Sequence, residues 1–163
     1  GEMSEAILAN GGTLIAYLGD GIMALFGAPV EQDDHADRAL AASREMLGVR
    51  LERFNTWLRE EDLGDGLRMG IGLNTGNVMA GNVGSAQRLE YTAIGDTTNT
   101  ASRLEGLTKG SGHMLLIADS TRARLNEVPE DLTFVDEFEV RGRAAKLKAW
   151  SVPDPVPPGS SGL

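Results

Sequence analysis

No cysteine occurs anywhere in the 163 residues. Disulfides, thiolate catalysis and cysteine-ligated zinc are therefore excluded. Histidine is scarce, with only His35 and His113, which argues against a histidine-rich metal centre. No apolar run approaches the roughly 20 residues that a membrane span requires, and no charged-then-apolar leader opens the chain. Basic side chains are in the minority, 15 against 24 acidic, for a formal net charge of −9. A dedicated nucleic-acid binder would carry a basic stripe, so nucleic acid is not an expected partner. A nucleotide is still compatible, because a few local charges and a metal ion suffice to hold phosphates. The default expectation is a soluble domain in the cytoplasm.

What is present fits one domain. The length suits one and hardly two, and 41% hydrophobic residues can build a real core. The 21 glycines suggest many tight turns rather than a helical bundle.

Read along the chain, Met3, Ala6, Ile7 and Leu8 have helical spacing, and Gly11-Gly12 stops that helix. No strand precedes it, so the opening of the domain reads as cut. Thr13 to Tyr17 and Ile22 to Phe26 are apolar runs joined by Gly19-Asp20-Gly21, a β-hairpin signal. Asp34 caps a long predicted helix to about Glu61, with Ala36, Leu40, Leu47, Leu51, Phe54 and Leu58 in its apolar stripe. Leu67 to Leu73 and Asn77 to Gly81 read as a second hairpin around Asn74-Thr75-Gly76. Glu90 to Ile94 is extended, Thr97 to Leu107 helical, His113 to Ile117 a strand and Ser120 to Leu125 a short helix. Phe134 to Val140 and Lys146 to Val152 form a last strand pair. This order implies an α+β domain over residues 1–152, with an antiparallel sheet covered on one face by helices. The Pro-, Gly- and Ser-rich tail, 153–163, is expected to be disordered.

Four places carry candidate chemistry. Asp20 sits at the tip of a Gly-flanked turn, where a carboxylate reaches a metal unobstructed, and Mg²⁺ favours one or two carboxylates plus phosphate oxygens. Gly-Asp-Gly is equally a good turn in its own right. Asn99 and Arg103 stand at i and i+4 near a helix start and so share a face, where an amide and a guanidinium suit a phosphate or sugar oxygen. A solvated Asn, and an Arg paired with Glu105 or Glu52, is the plainer alternative. The Thr92 hydroxyl can read a base edge, although threonine is also simply a good strand residue. Arg141 and Arg143 flank Gly142 in a turn that could hold a phosphate or merely be basic and exposed.

Taken together, these places match a pattern. The segment LIAYLGDGIMALFGAP resembles the metal-binding hairpin of class III adenylyl and guanylyl cyclases. The segment LRMGIGLNTGNVMAGNVGSAQRLEYTAIGDTTNTASRLEGLTK resembles that family's central hairpin and the strand and helix after it. The resemblance implies a ferredoxin-like α+β core and head-to-tail dimers whose active sites lie between chains. It implies two Mg²⁺ or Mn²⁺ ions on two Asp residues, with the ribose 3′-oxygen attacking the α-phosphate of ATP and pyrophosphate leaving. By residue match, Asp20 is similar to the second metal-binding Asp. Asn99 is similar to the residue that orients the ribose, and Arg103 to the one that steadies the transition-state phosphate. Thr92 lies where adenylyl cyclases carry an Asp or Thr that reads the adenine amino group. Arg143 lies in the turn where many members place a Lys on the phosphates.

Two departures from the pattern stand out. The family's opening strand, with the first metal Asp, is absent, which implies an N-terminally truncated domain of little activity as it stands. Ala16 occupies a position that usually holds a Lys reading the purine ring, and alanine cannot hydrogen-bond a base. An adenylyl cyclase domain, working as a homodimer or with another cyclase domain, is the leading expectation. A degenerate homologue acting as a nucleotide-binding or regulatory module is the alternative.

Overall fold

Acidic residues open the first helix and a polar side chain closes it. In the computed structural model, which describes residues 1–19, 21–83, 90–140, 142 and 144–155, α1 (Glu2–Ala9) carries Glu2 and Glu5 in its first turn, where carboxylates complement the helix dipole. Asn10 Nδ2 donates to the Ala6 carbonyl at 2.8 Å. Gly12 N then donates to Ile7 O and Gly11 N to Leu8 O, closing the end as Gly11-Gly12 predicts.

The first hairpin forms as read: β1 (Thr13–Leu18) pairs antiparallel with β2 (Gly21–Leu25). The long predicted helix does not run unbroken. It divides into α2 (His35–Glu45), a wide π-helical turn Met46–Arg50 with Gly48 outside helical geometry, and α3 (Leu51–Glu60). Glycine has the weakest helix preference apart from proline, so the break falls where continuation is least favoured.

The second predicted hairpin is a correction. β3 (Ile71–Leu73) pairs in parallel with β6 (Leu115–Ala118), and β4 (Met79–Val83) pairs antiparallel with β5 (Glu90–Ile94). The two strands flanking Asn74-Thr75-Gly76 thus belong to different sheets. The reason lies in the turn itself, whose polar groups bond to helices and not across a hairpin: Asn74 Nδ2 donates to Thr97 O and Thr75 N to Ser120 Oγ.

After β5 come α4 (Asp96–Ser111), β6, α5 (Asp119–Arg122), β7 (Thr133–Phe138) and β8 (Leu147–Ser151). Among the described residues the strands form three hydrogen-bonded groups, β1-β2, β3-β6-β8-β7 and β4-β5. The domain is α+β, as expected, but its largest sheet is covered on both faces rather than one. β6 shows why, since all four of its residues are buried. Leu115 and Ile117 pack with Ala36, Leu40 and Leu47 of the α2 side. Leu116 and Ala118, pointing the other way, pack with Leu104 of α4 and Ala149 of β8. Each fully buried Leu or Ile contributes about 1.5–3 kcal/mol, so this strand anchors both layers.

A third cluster, Ala6, Ile7 and Met46 with Leu14, Ile22, Ala24 and Phe26, seats the β1-β2 ribbon under α1. An ion-pair knot locks α1 in place. Arg50 donates to Glu2 at 3.0 Å, Glu5 at 2.8 Å and Glu45 at 3.3 Å. The guanidinium holds the Glu2 carboxyl below the usual carboxylate range, against a smaller opposing effect of burial. No helix among the described residues is long and apolar enough to cross a membrane. Of the tail, residues 156–163 lie outside the described residues.

Candidate functional site

The ribbon that begins the site contains an irregularity at one useful place. Leu14 pairs with Ala24 and Ala16 with Met23, so β1 advances two residues while β2 advances one. Ile15 is the extra residue of a β-bulge, a device that re-aims neighbouring side chains. Leu14 and Tyr17 are opposite Ala24 and Ile22; Leu14, Ala24 and Ile22 pack under α1, while the Tyr17 ring is largely exposed at its edge. Tyr17 also bonds Ser4 of α1 through its hydroxyl at 2.8 Å. Ala16 is opposite Met23 and so lies on the other side, turned away from α1. An unbulged strand would have placed residues 14 and 16 on one face.

Asp20, the expected metal ligand, lies outside the described residues. Its neighbour Gly19 has φ +62° and open space where a side chain would stand, so the approach to the tip is uncrowded on that side. Among the described residues no group of three or more His, Asp or Glu side chains could hold a metal ion. A carboxylate at position 20 suits an ion whose remaining ligands come from phosphate oxygens and water, as Mg²⁺ prefers.

Thr92 lies in β5 opposite Gly81 of β4. β1 packs beside β5, so the strand of Ala16 and the strand of Thr92 are neighbours. Arg143 and Arg141 lie outside the described residues, and Gly142 between them is exposed with φ +86°.

β5 leads into α4 through Gly95, whose φ of +135° and ψ of −178° form a conformation open essentially to glycine alone. Asn99 N donates to Gly95 O at 3.1 Å, and Thr98 Oγ1 donates to the same carbonyl at 2.9 Å. Thr98, Thr100, Leu104 and Thr108 form the buried face of α4. Asn99 and Arg103 are both exposed, one above the other on the outer face. The plainer alternative for Arg103 does not occur: among the described residues it forms no ion pair with Glu105 or Glu52. An amide and a cation are thus presented to whatever approaches this ridge.

The structure brings together the strands of Ala16 and Thr92, and separately aligns Asn99 with Arg103. Two hollows, of about 410 Å³ along α3 and about 240 Å³ between Arg44 and Asp154, are lined by none of these four residues. Sequence reasoning overlooked the polar clamp on α4. Asn74, Thr97 and Ser120 meet there, and Asn74 was read only as a turn residue. The turn preference of asparagine was the available signal, but its partners lie 23 and 46 residues away.

Comparison with known proteins matches the described geometry to a family. The family model for the adenylate and guanylate cyclase catalytic domain matches residues 2–153. Adenylate cyclase 1 of Rhizobium meliloti (strain 1021) is 35% identical over 149 residues, 91% of this chain and 22% of that protein. The adenylate cyclase of Anabaena cylindrica is 36% identical over 156 residues, 92% of this chain and 30% of that protein. The chain therefore spans less than a third of either relative. Among solved structures, the guanylyl cyclase Cya2 superposes with a TM-score of 0.82 at 32% identity, covering 98% of this chain and 78% of that one.

Proposed function

The chain belongs to the adenylate and guanylate cyclase catalytic domain family, and from that premise we propose that it forms 3′,5′-cyclic AMP and pyrophosphate from ATP. The observation that carries this reading is the exposed pair on α4. Asn99 and Arg103 share one outward ridge and are not engaged in ion pairs of their own chain among the described residues. A side chain needed for the chain's own fold would be held inward, as Thr98 and Leu104 are.

In this reading two copies associate head to tail, and the α4 ridge of one faces the β1-β2 ribbon of the other. Asn99 orients the ribose so that its 3′-oxygen lies in line with the α-phosphorus. The 3′-hydroxyl gives its proton to solvent, O3′ forms a new bond to the α-phosphorus, and the bond from that phosphorus to the oxygen bridging to the β-phosphate breaks, its electron pair leaving on pyrophosphate. Arg103 places a fixed cation against the charge that builds on the α-phosphate, the kind of pre-set stabilisation that costs no reorganisation. Thr92 accepts the adenine amino proton, which favours ATP over GTP. Arg143 is assigned to the outgoing phosphates by its resemblance to the family's turn lysine. Asp20 would hold Mg²⁺ or Mn²⁺, one of the two ions of this chemistry, which would supply Lewis-acid stabilisation of the phosphate oxygens.

The two relatives described as adenylate cyclases support an adenine substrate, while Ala16 leaves the ring of the base unread from its side. The test is cyclic nucleotide formation from ATP and from GTP with Mn²⁺, at high protein concentration, for the chain, for a version extended by the family's opening strand, and for Asp20→Ala and Arg103→Ala in that version. Little product from the chain itself, cyclic AMP from ATP in the extended version, and loss in both variants is the expected result. Tight nucleotide binding with no turnover, in a sample shown to be dimeric, would overturn the enzyme reading and leave a nucleotide-binding or regulatory module.

A further inference from the structure

The loop after β3 is bonded to the start of α4 and to α5. Asn74 Nδ2 donates to the Thr97 carbonyl at 3.0 Å, while Asn74 Oδ1 accepts from Ser120 Oγ at 2.9 Å. Thr75 N donates to the same Ser120 oxygen at 3.2 Å, and the hydroxyls of Thr75 and Thr121 meet at 2.9 Å. From the other side, Thr97 Oγ1 donates to the Asn77 carbonyl at 2.7 Å. A side-chain carbon on Gly76 would stand 2.7 Å from that same Thr97 oxygen, so the loop backbone lies directly on the first turn of the helix.

We propose that Asn74 is a positioning residue for the cyclase reaction: its amide fixes the rotational phase of α4 from which Asn99 and Arg103 act. The inference rests on the role given to Asn99 above. Thr97 and Asn99 are two residues apart, about 200° around a helix, so a clamp that holds Thr97 inward holds Asn99 outward. The junction upstream contributes only the Gly95 carbonyl, which accepts from Asn99 N and Thr98 Oγ1, and no side chain that reaches back to the core. Chemistry also selects asparagine for the place. The bridge needs a donor toward a carbonyl and an acceptor toward a hydroxyl, which a single amide provides and a carboxylate does not. Ser120 closes the path to α5, at the end of the buried strand β6, so the helix start is referenced to the rigid core.

The test compares Asn74→Asp, Asn99→Ala and the double variant in turnover with Mn²⁺–ATP. Amide hydrogen exchange of residues 96–101 and 115–118 is followed in parallel. Asn74→Asp keeps the size and the acceptor but loses the donor to Thr97. The expected result is a fall in kcat of about tenfold with KM little changed, as small misplacements of reacting groups produce. Exchange should quicken at 96–101 and stay unchanged at 115–118, and the double variant should be little worse than Asn99→Ala alone. A merely structural contact would lower stability without splitting kcat from KM. An unchanged Asn74→Asp rate beside an inactive Asn99→Ala overturns the inference, and an active Asn99→Ala overturns the reading of the site beneath it. Unchanged protection at 96–101 overturns the inference whatever the rates.

Discussion

A side-chain carbon on Gly72 would lie 2.8 Å from Leu104 Cβ and 2.5 Å from the Glu105 nitrogen. The backbone of α4 therefore rests directly on β3. Gly70, two residues earlier on the same face, meets Thr108 in the same way. Helix and strand can approach this closely only where the strand has no side chains on that face.

The first prediction follows from that contact. Gly72→Ala should destabilise the fold by about 1–3 kcal/mol, the usual cost of overpacking, because the groups it meets are helix backbone. Gly106→Ala, on the open side of α4 with nothing near its added carbon, should instead stabilise by up to about 1 kcal/mol. Urea unfolding of the two variants checks the pair, and equal effects would contradict the packing described here.

Asn99→Ala and Arg103→Ala should leave unfolding within about 0.5 kcal/mol of the parent, as exposed substitutions do. Turnover should fall steeply, by about 10²–10³ for Arg103, the loss typical when one fixed charge-stabilising donor is removed. Thermal melts and initial rates, taken on the same samples, separate the two effects. A variant that lost stability and rate in proportion would refute the assignment.

Ala16→Lys tests the bulge. With position 16 turned away from α1, a lysine there gains a hydrogen bond to the base without disturbing the apolar cluster. The preference for ATP should rise by a factor set by about 1 kcal/mol, the net worth of such a bond. Relative kcat/KM for ATP and GTP is the measurement, and a destabilised protein would show that residue 16 faces α1 after all.

Acid should loosen α1 only below the ordinary carboxylate range. The Glu2 carboxyl is held below its ordinary range chiefly by its hydrogen bond from Arg50. Asp34 and Asp131 are lowered in the same way by Arg38 and Arg44. A lowered folded-state value means that the contribution is complete above the ordinary carboxylate range. It is lost as pH falls through the depressed value. Melting temperature should thus decline below the ordinary carboxylate range, and Arg50→Gln should flatten the part due to Glu2. An Arg50→Gln profile parallel to that of the parent would show that the knot contributes nothing measurable.

Local signals were legible where local chemistry decides. The pairing of β1 with β2, the Gly11-Gly12 stop and the last strand pair formed as read. The alternation of Gly70 and Gly72 was visible, but its meaning was not, since α4 lies some thirty residues on. Asn74-Thr75-Gly76 looked like a hairpin turn because turn residues are the same whether the next strand returns or leaves. The partner of β3 was settled by the buried run Leu115 to Ala118, a long-range competition that no window of sequence displays. The helix over α2 and α3 kept its apolar spacing through Gly48, so the pattern concealed the break. The proposed site residues come from resemblance, whereas the bonds that join Asn74, Thr97 and Ser120 left no local signal, because those residues are scattered along the chain.

The β1-β2 ribbon shares no ladder with the β6-centred sheet among the described residues. It is held by the cluster beneath α1, which reaches Met69 and Ile71 of the main core, and by the flank of β5. Lacking a shared ladder, the ribbon can open before the sheet does, uncovering this cluster first. A ligand gripped at its tip would act on that smaller free energy first. Occupancy would then show as resistance of the 13–25 segment to proteolysis well before it raised the melting temperature of the whole domain.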